Sequence, residues 1–240
     1  MNLFLAPDTT STFVTLSPDD SRHCIRVLRM QAGDTLAITS GDGTLCHARI
    51  INPDPRGCEV EITQRIENYS PRPFHLHLAV APTKNTARIE WLLEKAVEIG
   101  IDRFTPIVCD HSERATLNNE RLRKIALSAM KQSLKASLPT IDPPTPFAQL
   151  DSLVLPGCQR FVCYCSGNER HTLPQLYHPH NNALVLIGPE GDFSPKEITT
   201  ALDQGFQPVS LGPCRLRTET AALYALTALN FMNGDLRIES

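Results

Sequence analysis

No segment of this 240-residue chain is long and apolar enough to span a bilayer as a helix, which excludes a helical membrane protein. The opening run MNLFLAPDTTSTFV has no basic residues ahead of a hydrophobic stretch, so no signal peptide is expected and the location expected is cytoplasmic. No Cys-x-x-Cys pair occurs among the eight cysteines. Cys24, Cys46, Cys58, Cys109, Cys158, Cys163, Cys165 and Cys214 lie mostly in apolar or strand-like runs and read as small buried hydrophobes. His171, His178 and His180 share a segment with Tyr177, Pro179 and two asparagines, and neither a helix nor paired cysteines would set a metal geometry; they read as loop histidines, and no metal is expected. No Gly-x-Gly-x-x-Gly follows the first strand and no P-loop occurs, which argues against a Rossmann-type site and against a nucleotide-using small-molecule enzyme. Net positive charge is also missing: 23 Lys and Arg against 26 Asp and Glu leave −3. Attraction to a polyanion must therefore be local.

What is present divides in two. Residues 1–70 carry short alternating runs broken by turns. In TLAITSGDGTLCHARII, Leu36 and Ile38 alternate with polar neighbours, Gly41-Asp42-Gly43 turns, and Leu45, Ala48 and Ile50 return, which is a β-hairpin pattern. CEVEIT adds a strand, a small β-barrel would close the set, and Asn68 to Phe74 is a linker. Residues 71–240 alternate strand and helix: FHLHLAV, then TARIEWLLEKAVEIG with Ile89, Leu92, Leu93, Ala96 and Val97 inward and Gly100 as stop, then RFTPIV, a helix over Leu122 to Leu134, and strands at RFVCYC, ALVLIG and PVSLG. This predicts an α/β domain with a mostly parallel sheet. Pro139 to Pro146 reads as a loop within it.

The last quarter holds two loops of one design. In LVLIGPEGDFSPKE, Val185 to Ile187 read as a buried strand, Gly188-Pro189 turns, and Ser194, Pro195 and Glu197 supply N-cap, first position and capping box of a helix. In VSLGPCRLRTETAALYAL, Val209 and Leu211 read as strand, Gly212-Pro213 turns, and Thr218 could cap the next helix. Either loop alone is an ordinary strand-to-helix connection. Together, with Glu190, Arg215, Arg217 and Glu219 crowded into them, they outline a crevice at the carboxyl ends of strands.

Two basic segments accompany the loops. If SRHCIRVLRMQAGD is helical, Arg22, Arg26 and Arg29 share a face, while Cys24, Ile25, Val27 and Leu28 pack partly inward. In Glu120 to Leu138, Lys124, Lys131 and Lys135 fall on one stripe near Arg121, opposite Leu122, Ala126 and Ala129. A solvated helix face explains either set; two such surfaces beside a crevice suit a long polyanion.

LIGPEGDFSPKE followed by LGPCRLRTETAALYAL resembles the RsmE family of ribosomal RNA methyltransferases, members of the SPOUT superfamily. RHCIRVLRMQAGD, RIEWLLEKAVEIGI and KQSLKASLP extend the resemblance over both halves. It implies a PUA-like RNA-binding β-barrel at residues 1–70 and a trefoil-knotted methyltransferase domain at 71–240. It implies a homodimer, with S-adenosylmethionine as methyl donor and N3 of a uridine in small-subunit (16S) ribosomal RNA as acceptor, the RNA lying in an assembled or assembling subunit. The cofactor would lie against Leu186, Ile187, Gly188, Pro189, Glu190 and Gly191 on one loop and Leu211, Gly212, Leu216, Arg217 and Thr218 on the other. Arg22, Arg26, Arg29, Lys124, Lys131 and Lys135 would hold RNA. Asp192, Cys214 and Lys131 depart from the family pattern, where a glycine, an arginine and an acid are common.

The transfer needs no protein nucleophile, because the donor carries its own leaving group. It needs a proton removed from N3 and a charge stabilised. Arg217 or Arg215 could do the second, and Glu219 or Glu190 the first, directly or through water. Glu219 could equally serve only the helix N-terminus. Two other readings remain: a related enzyme acting on transfer RNA ribose, and a non-catalytic RNA-binding protein that kept the fold. The C-terminal helix, Thr218 to Asn233, offers Leu223, Leu226, Leu229 and Phe231 either to a dimer contact or to its own core.

Overall fold

The computed structural model describes residues 2–164 and 171–234; Cys165, the last residue of the strand expected at RFVCYC, lies outside the described residues. The chain forms two compact units, Met1–Pro71 with Leu127–Leu138, and Arg72–Ala126 with Pro139–Ser240.

The first unit contains β1 (Leu3–Leu5), β2 (Phe13–Thr15), α1 (Pro18–Arg22), β3 (Thr35–Thr39), β4 (Leu45–Asn52) and β5 (Glu59–Ile66). They make a five-stranded sheet in the order β1-β3-β4-β5-β2. The expected hairpin is β3 and β4, with Leu36 opposite Ala48 and Ile38 opposite Cys46. Gly41 and Gly43 turn it at φ of 84° and 98°, a region closed to most side chains. Strand alternation sends Leu36, Ile38, Ala48, Ile50 and Val60 into one core with Phe4, Leu16, Cys24 and Cys58.

The basic segment of this unit is not a single helix. Ser17 caps α1, which stops at Arg22; His23–Val27 then forms a wider π-helical turn closed by Leu28 N–H on the His23 carbonyl, and Arg29 leaves with φ 58°. The extra residue in that turn shifts the helical phase and drives Cys24 fully into the core. Arg22, Arg26 and Arg29 remain exposed but do not share one stripe, and Val27 is turned out to solvent rather than packed inward.

The second unit contains β6 (Leu76–Val80), α2 (Thr86–Ile99), β7 (Arg103–Val108), α3 (Asn119–Gln132), β8 (Thr140–Ile141), β9 (Thr145–Pro146), β10 (Gln159–Cys163), β11 (His171–Thr172), α4 (Leu173–Leu176), β12 (Ala183–Ile187), α5 (Pro195–Asp203), β13 (Gln207–Ser210) and α6 (Thr218–Met232). Its sheet runs β11-β13-β10-β12-β6-β7-β8, with β9 also on β7, and every ladder is parallel. Burial on both faces explains why β12 reads Ala-Leu-Val-Leu-Ile without alternation. From β6 the chain adds β7 and β8 on one side, then crosses to β10 on the other, and β12 fills the place between β10 and β6. That reversal is where an open parallel sheet leaves a crevice beyond its carboxyl edge.

α2 buries Ile89, Leu92, Leu93, Ala96 and Val97 as expected and ends at Gly100, φ 125°. α3 is shorter than the basic segment. Its end, Leu127 onward, clusters with the first unit, and Leu134 at φ 56° breaks the helical path. Lys124 and Lys131 lie seven residues apart on α3, but Lys135 lies beyond its end, so the three do not form one helical stripe. Pro139 to Pro146 is not merely a loop: the chain re-enters the second unit there and contributes β8 and β9. Leu211 falls just past β13 and is half-buried, not strand. On α6, Leu226 and Leu229 are buried within the unit, because they face α2 and the sheet; Tyr224 and Phe231 are the exposed apolar residues. Cys24, Cys46, Cys58 and Cys109 are buried, and burial pushes the Cys24 thiol up to about 12; Cys214, against expectation, is exposed on its loop.

Candidate functional site

The first loop leaves β12 at Gly188. Asp192 N–H donates to the Pro189 carbonyl at 2.9 Å and closes a tight turn, with Asp192 at φ 63°. Aspartate tolerates that conformation better than most residues, and its Oδ1 accepts the next amide, Phe193 N–H, at 2.8 Å. The capping box is present: Ser194 Oγ accepts Glu197 N–H, and Glu197 Oε2 accepts Ser194 N–H. Glu197 has a second duty, because its Oε1 accepts Asp110 N–H at 2.9 Å while Ser194 Oγ donates to Asp110 Oδ2 at 2.6 Å. The next residue, His111, sets Nδ1 2.9 Å from the Asp192 carbonyl. The segment following β7 thus clamps the turn. Lys84, after β6, donates its amide to Glu190 Oε1 at 3.3 Å.

The second loop leaves β13, two positions from β12 across β10. Gly212 has φ 114°, and a Cβ there would meet nothing within 4 Å. Gly188 is glycine for another reason: a Cβ would stand 3.1 Å from the Phe193 ring. A bulky residue at 188 would therefore disturb packing, and one at 212 would strain the backbone although the space around it is open. Thr218 is not the cap of α6. It is the first helical residue, buried, and its hydroxyl donates to the Gly188 carbonyl at 3.1 Å, while Arg217 occupies the cap position without a side-chain cap bond. That hydrogen bond joins the two loops into one structure. The main chain of Leu186 to Gly191 and of Leu211 to Thr218, with an open ledge at Gly212, suits an elongated cofactor read through backbone groups.

Beside the second loop is a cavity of about 600 Å³, walled by Arg88 and Trp91 of α2 and by Arg215, Leu216, Arg217 and Glu219. Glu219 is 7% exposed. Its Oε1 lies 3.7 Å from Arg88 Nε, too far for a hydrogen bond, and its Oε2 has no hydrogen-bond partner among the described residues. A buried carboxylate oxygen left in that state is costly unless something else supplies a donor. Glu190, by contrast, is exposed and occupied by the Lys84 amide. Of the two acids, Glu219 faces the cavity. Arg88, Trp91 and His111 are absent from the sequence expectations; the polar run Asp110-His111-Ser112-Glu113, shortly after a buried parallel strand, was the available signal for the last.

An RNA methyltransferase domain model matches residues 70–230, and an RNA methyltransferase PUA domain model matches residues 16–63. A crystal structure of a probable rRNA-methyltransferase from Porphyromonas gingivalis is 43% identical, covers 98% of this chain and 99% of its own, and superposes with a TM-score of 0.91. The chain belongs to this RNA methyltransferase family. Ribosomal RNA small subunit methyltransferase E from Buchnera aphidicola is 28% identical over 94% of this chain and 90% of that protein. The Neisseria gonorrhoeae structure of that name, bound to S-adenosyl methionine, is 26% identical over 96% of this chain and 97% of its own, with a TM-score of 0.85. In this methyltransferase both loops fall in the first matched range, and Arg22, Arg26 and Arg29 fall in the PUA range.

Two departures from the usual family residues now have a local reason. Lys131 forms an ion pair with Asp20 at 2.7 Å, both side chains largely buried. Asp192 is held in its left-handed conformation by its own carboxylate and by His111. His111→Ala should therefore loosen the first loop and weaken cofactor affinity about two- to tenfold, the worth of one hydrogen bond. Calorimetry checks this, and unchanged affinity would show that the clamp does not shape the site.

Proposed function

We propose that this chain transfers the methyl group of S-adenosylmethionine to N3 of a uridine in small-subunit ribosomal RNA. The observation that carries the reading is the juxtaposition of the two Gly-Pro loops, joined through Thr218 and Gly188, with Arg217 and the buried Glu219 beside them. When bound, S-adenosylmethionine supplies an electrophilic methyl group and its own leaving group. The protein's work is to position and to manage charge. The backbone of Leu186 to Gly191 and of Leu211 to Thr218 would hold the cofactor. Glu219 takes the N3 proton and passes it to solvent, and Arg217, exposed at the cavity wall, offsets the negative charge spreading onto the uracil carbonyl oxygens. The trefoil knot expected of this superfamily belongs to the same proposal.

Arg22, Arg26 and Arg29 and, on the second unit, exposed Lys124 are the proposed phosphate contacts; Lys131 drops out through its pair with Asp20. No helix among the described residues is long and apolar enough to cross a membrane, which agrees with work on ribosomal particles in the cytoplasm. A homodimer is part of the proposal, with the exposed Tyr224 and Phe231 of α6 as its apolar contact in place of Leu226 and Leu229. A monomer by light scattering at micromolar concentration would refute the dimer. Calorimetry tests the core of the reading: S-adenosylmethionine should bind without added metal. A chain that bound small-subunit RNA but no S-adenosylmethionine would be a non-catalytic RNA-binding module.

A further inference from the structure

We propose that the cavity between α2 and the second loop is a uracil-selective pocket, in which Trp91 is the stacking face and Glu219 the group that rejects cytosine. This deepens the methyltransferase reading and rests on it for the identity of the reacting base.

Three observations converge. Trp91 is the sole tryptophan of the chain, and it is 46% exposed although its neighbours Leu92 and Leu93 on α2 are fully buried. An indole left half in water at a cavity wall is a ready platform for a planar ring, since every base has a face that stacks. The second observation is the Glu219 carboxylate on the cavity wall: Oε2 is closed off from solvent without a partner, while Oε1, 3.7 Å from Arg88 Nε, makes no hydrogen bond and is the acceptor open to a donor. The third is the set of guanidinium groups around it: Arg88, with Nε 3.7 Å from Glu219, and Arg215 and Arg217 on the same wall.

Donor and acceptor types then decide between bases. The Watson–Crick edge of uracil reads acceptor, donor, acceptor: O2, N3–H, O4. The Glu219 carboxylate offers an acceptor to N3–H, and Arg88 beside it a donor to a flanking carbonyl, which complements uracil. Cytosine presents a lone pair at N3, which would face the carboxylate oxygen and leave both groups unpaired. A site built for a hydrogen bond rejects the analogue lacking it far more strongly than a shape fit does. Arg88 sits near enough to Glu219 to compensate its charge when the pocket is empty, and is available to a base carbonyl when it is full. A second copy of this chain covering Trp91 is the competing occupant. An apolar helix face would bury the indole but would leave Glu219 Oε1 without a donor, so the observations favour the base.

The single indole makes the test direct, because all tryptophan emission reports on residue 91. Short single-stranded oligouridylate should change that emission, and oligocytidylate of equal length should not. Glu219→Gln, whose amide can turn a donor towards a ring nitrogen, should narrow the difference between the two oligonucleotides. Trp91→Ala should lower kcat/KM for RNA methylation about five- to a hundredfold, from the usual worth of base stacking on an aromatic side chain, with S-adenosylmethionine affinity unchanged; Trp91→Phe should recover most of the loss. Emission that follows protein concentration and ignores both oligonucleotides would assign Trp91 to a contact between copies and overturn the pocket. Equal responses to the two oligonucleotides would overturn uracil selectivity. Full activity of Trp91→Ala beside an active wild type would place the reacting base elsewhere. A wild type that neither binds S-adenosylmethionine nor methylates RNA would instead refute the methyltransferase reading, and the fluorescence comparison would still decide the pocket.

Discussion

Arg217→Ala is expected to slow methyl transfer about a hundred- to a thousandfold in single turnover, the usual cost of removing one donor aimed at developing negative charge. N3 of uracil must lose its proton near the transition state, and the charge then resides largely on the flanking oxygens. A guanidinium at the cavity wall acts where that charge appears. Arg217 is exposed, and the α6 terminus takes no side-chain cap bond from it, so its loss should leave the fold intact. RNA affinity should fall much less than the rate, because the interaction strengthens only as charge develops. Arg215→Ala, in the same wall, is the internal control: if Arg215 carried the larger rate effect, the two roles would be exchanged. Equal losses in affinity and rate for Arg217→Ala would make it an RNA-holding residue.

Replacing Arg22, Arg26 and Arg29 together should have the opposite signature. RNA affinity should drop and its salt dependence flatten by up to about three phosphate contacts' worth, while S-adenosylmethionine affinity stays the same. The three side chains lie outside the segments of the second unit that form the loops. The Arg22–Asp19 ion pair does not compete seriously, since both side chains are mostly exposed and such pairs contribute about 0–1 kcal/mol. Binding measured across several salt concentrations checks this. A triple variant with the wild-type slope would remove this surface from the RNA path.

The legible parts of the chain were those where local chemistry and tertiary environment agree. Gly41-Asp42-Gly43 is a turn because only a positive φ closes that hairpin, and Ser194, Pro195 and Glu197 make a capping box wherever they occur before an apolar run. α2 followed from its periodicity. The departures came where a distant group intervened. Thr218 suits an N-cap by type, yet the Gly188 carbonyl, thirty residues away, takes its hydroxyl. The arginine stripe failed because a wider turn at His23–Val27 interrupts the helix, and the lysine stripe because α3 ends at Gln132, before Lys135. Lys131 looked like a surface cation until Asp20, over a hundred positions earlier, met it. In the site itself, the glycines and charged residues of the two loops could be read directly. Arg88 and Trp91 could not, because their helix reads as an ordinary amphipathic one and only the fold brings its outer side beside Glu219.

The central claim is methylation at N3 of a small-subunit ribosomal RNA uridine. Mass spectrometry of nucleosides from that RNA, prepared from a strain lacking this protein and from the same strain with it restored, tests the claim most directly. N3-methyluridine should be missing from the first, return with the wild-type chain, and fail to return with Arg217→Ala. N3-methyluridine persisting in the deletion strain, or a restored methyl group found on ribose instead of the base, would contradict it.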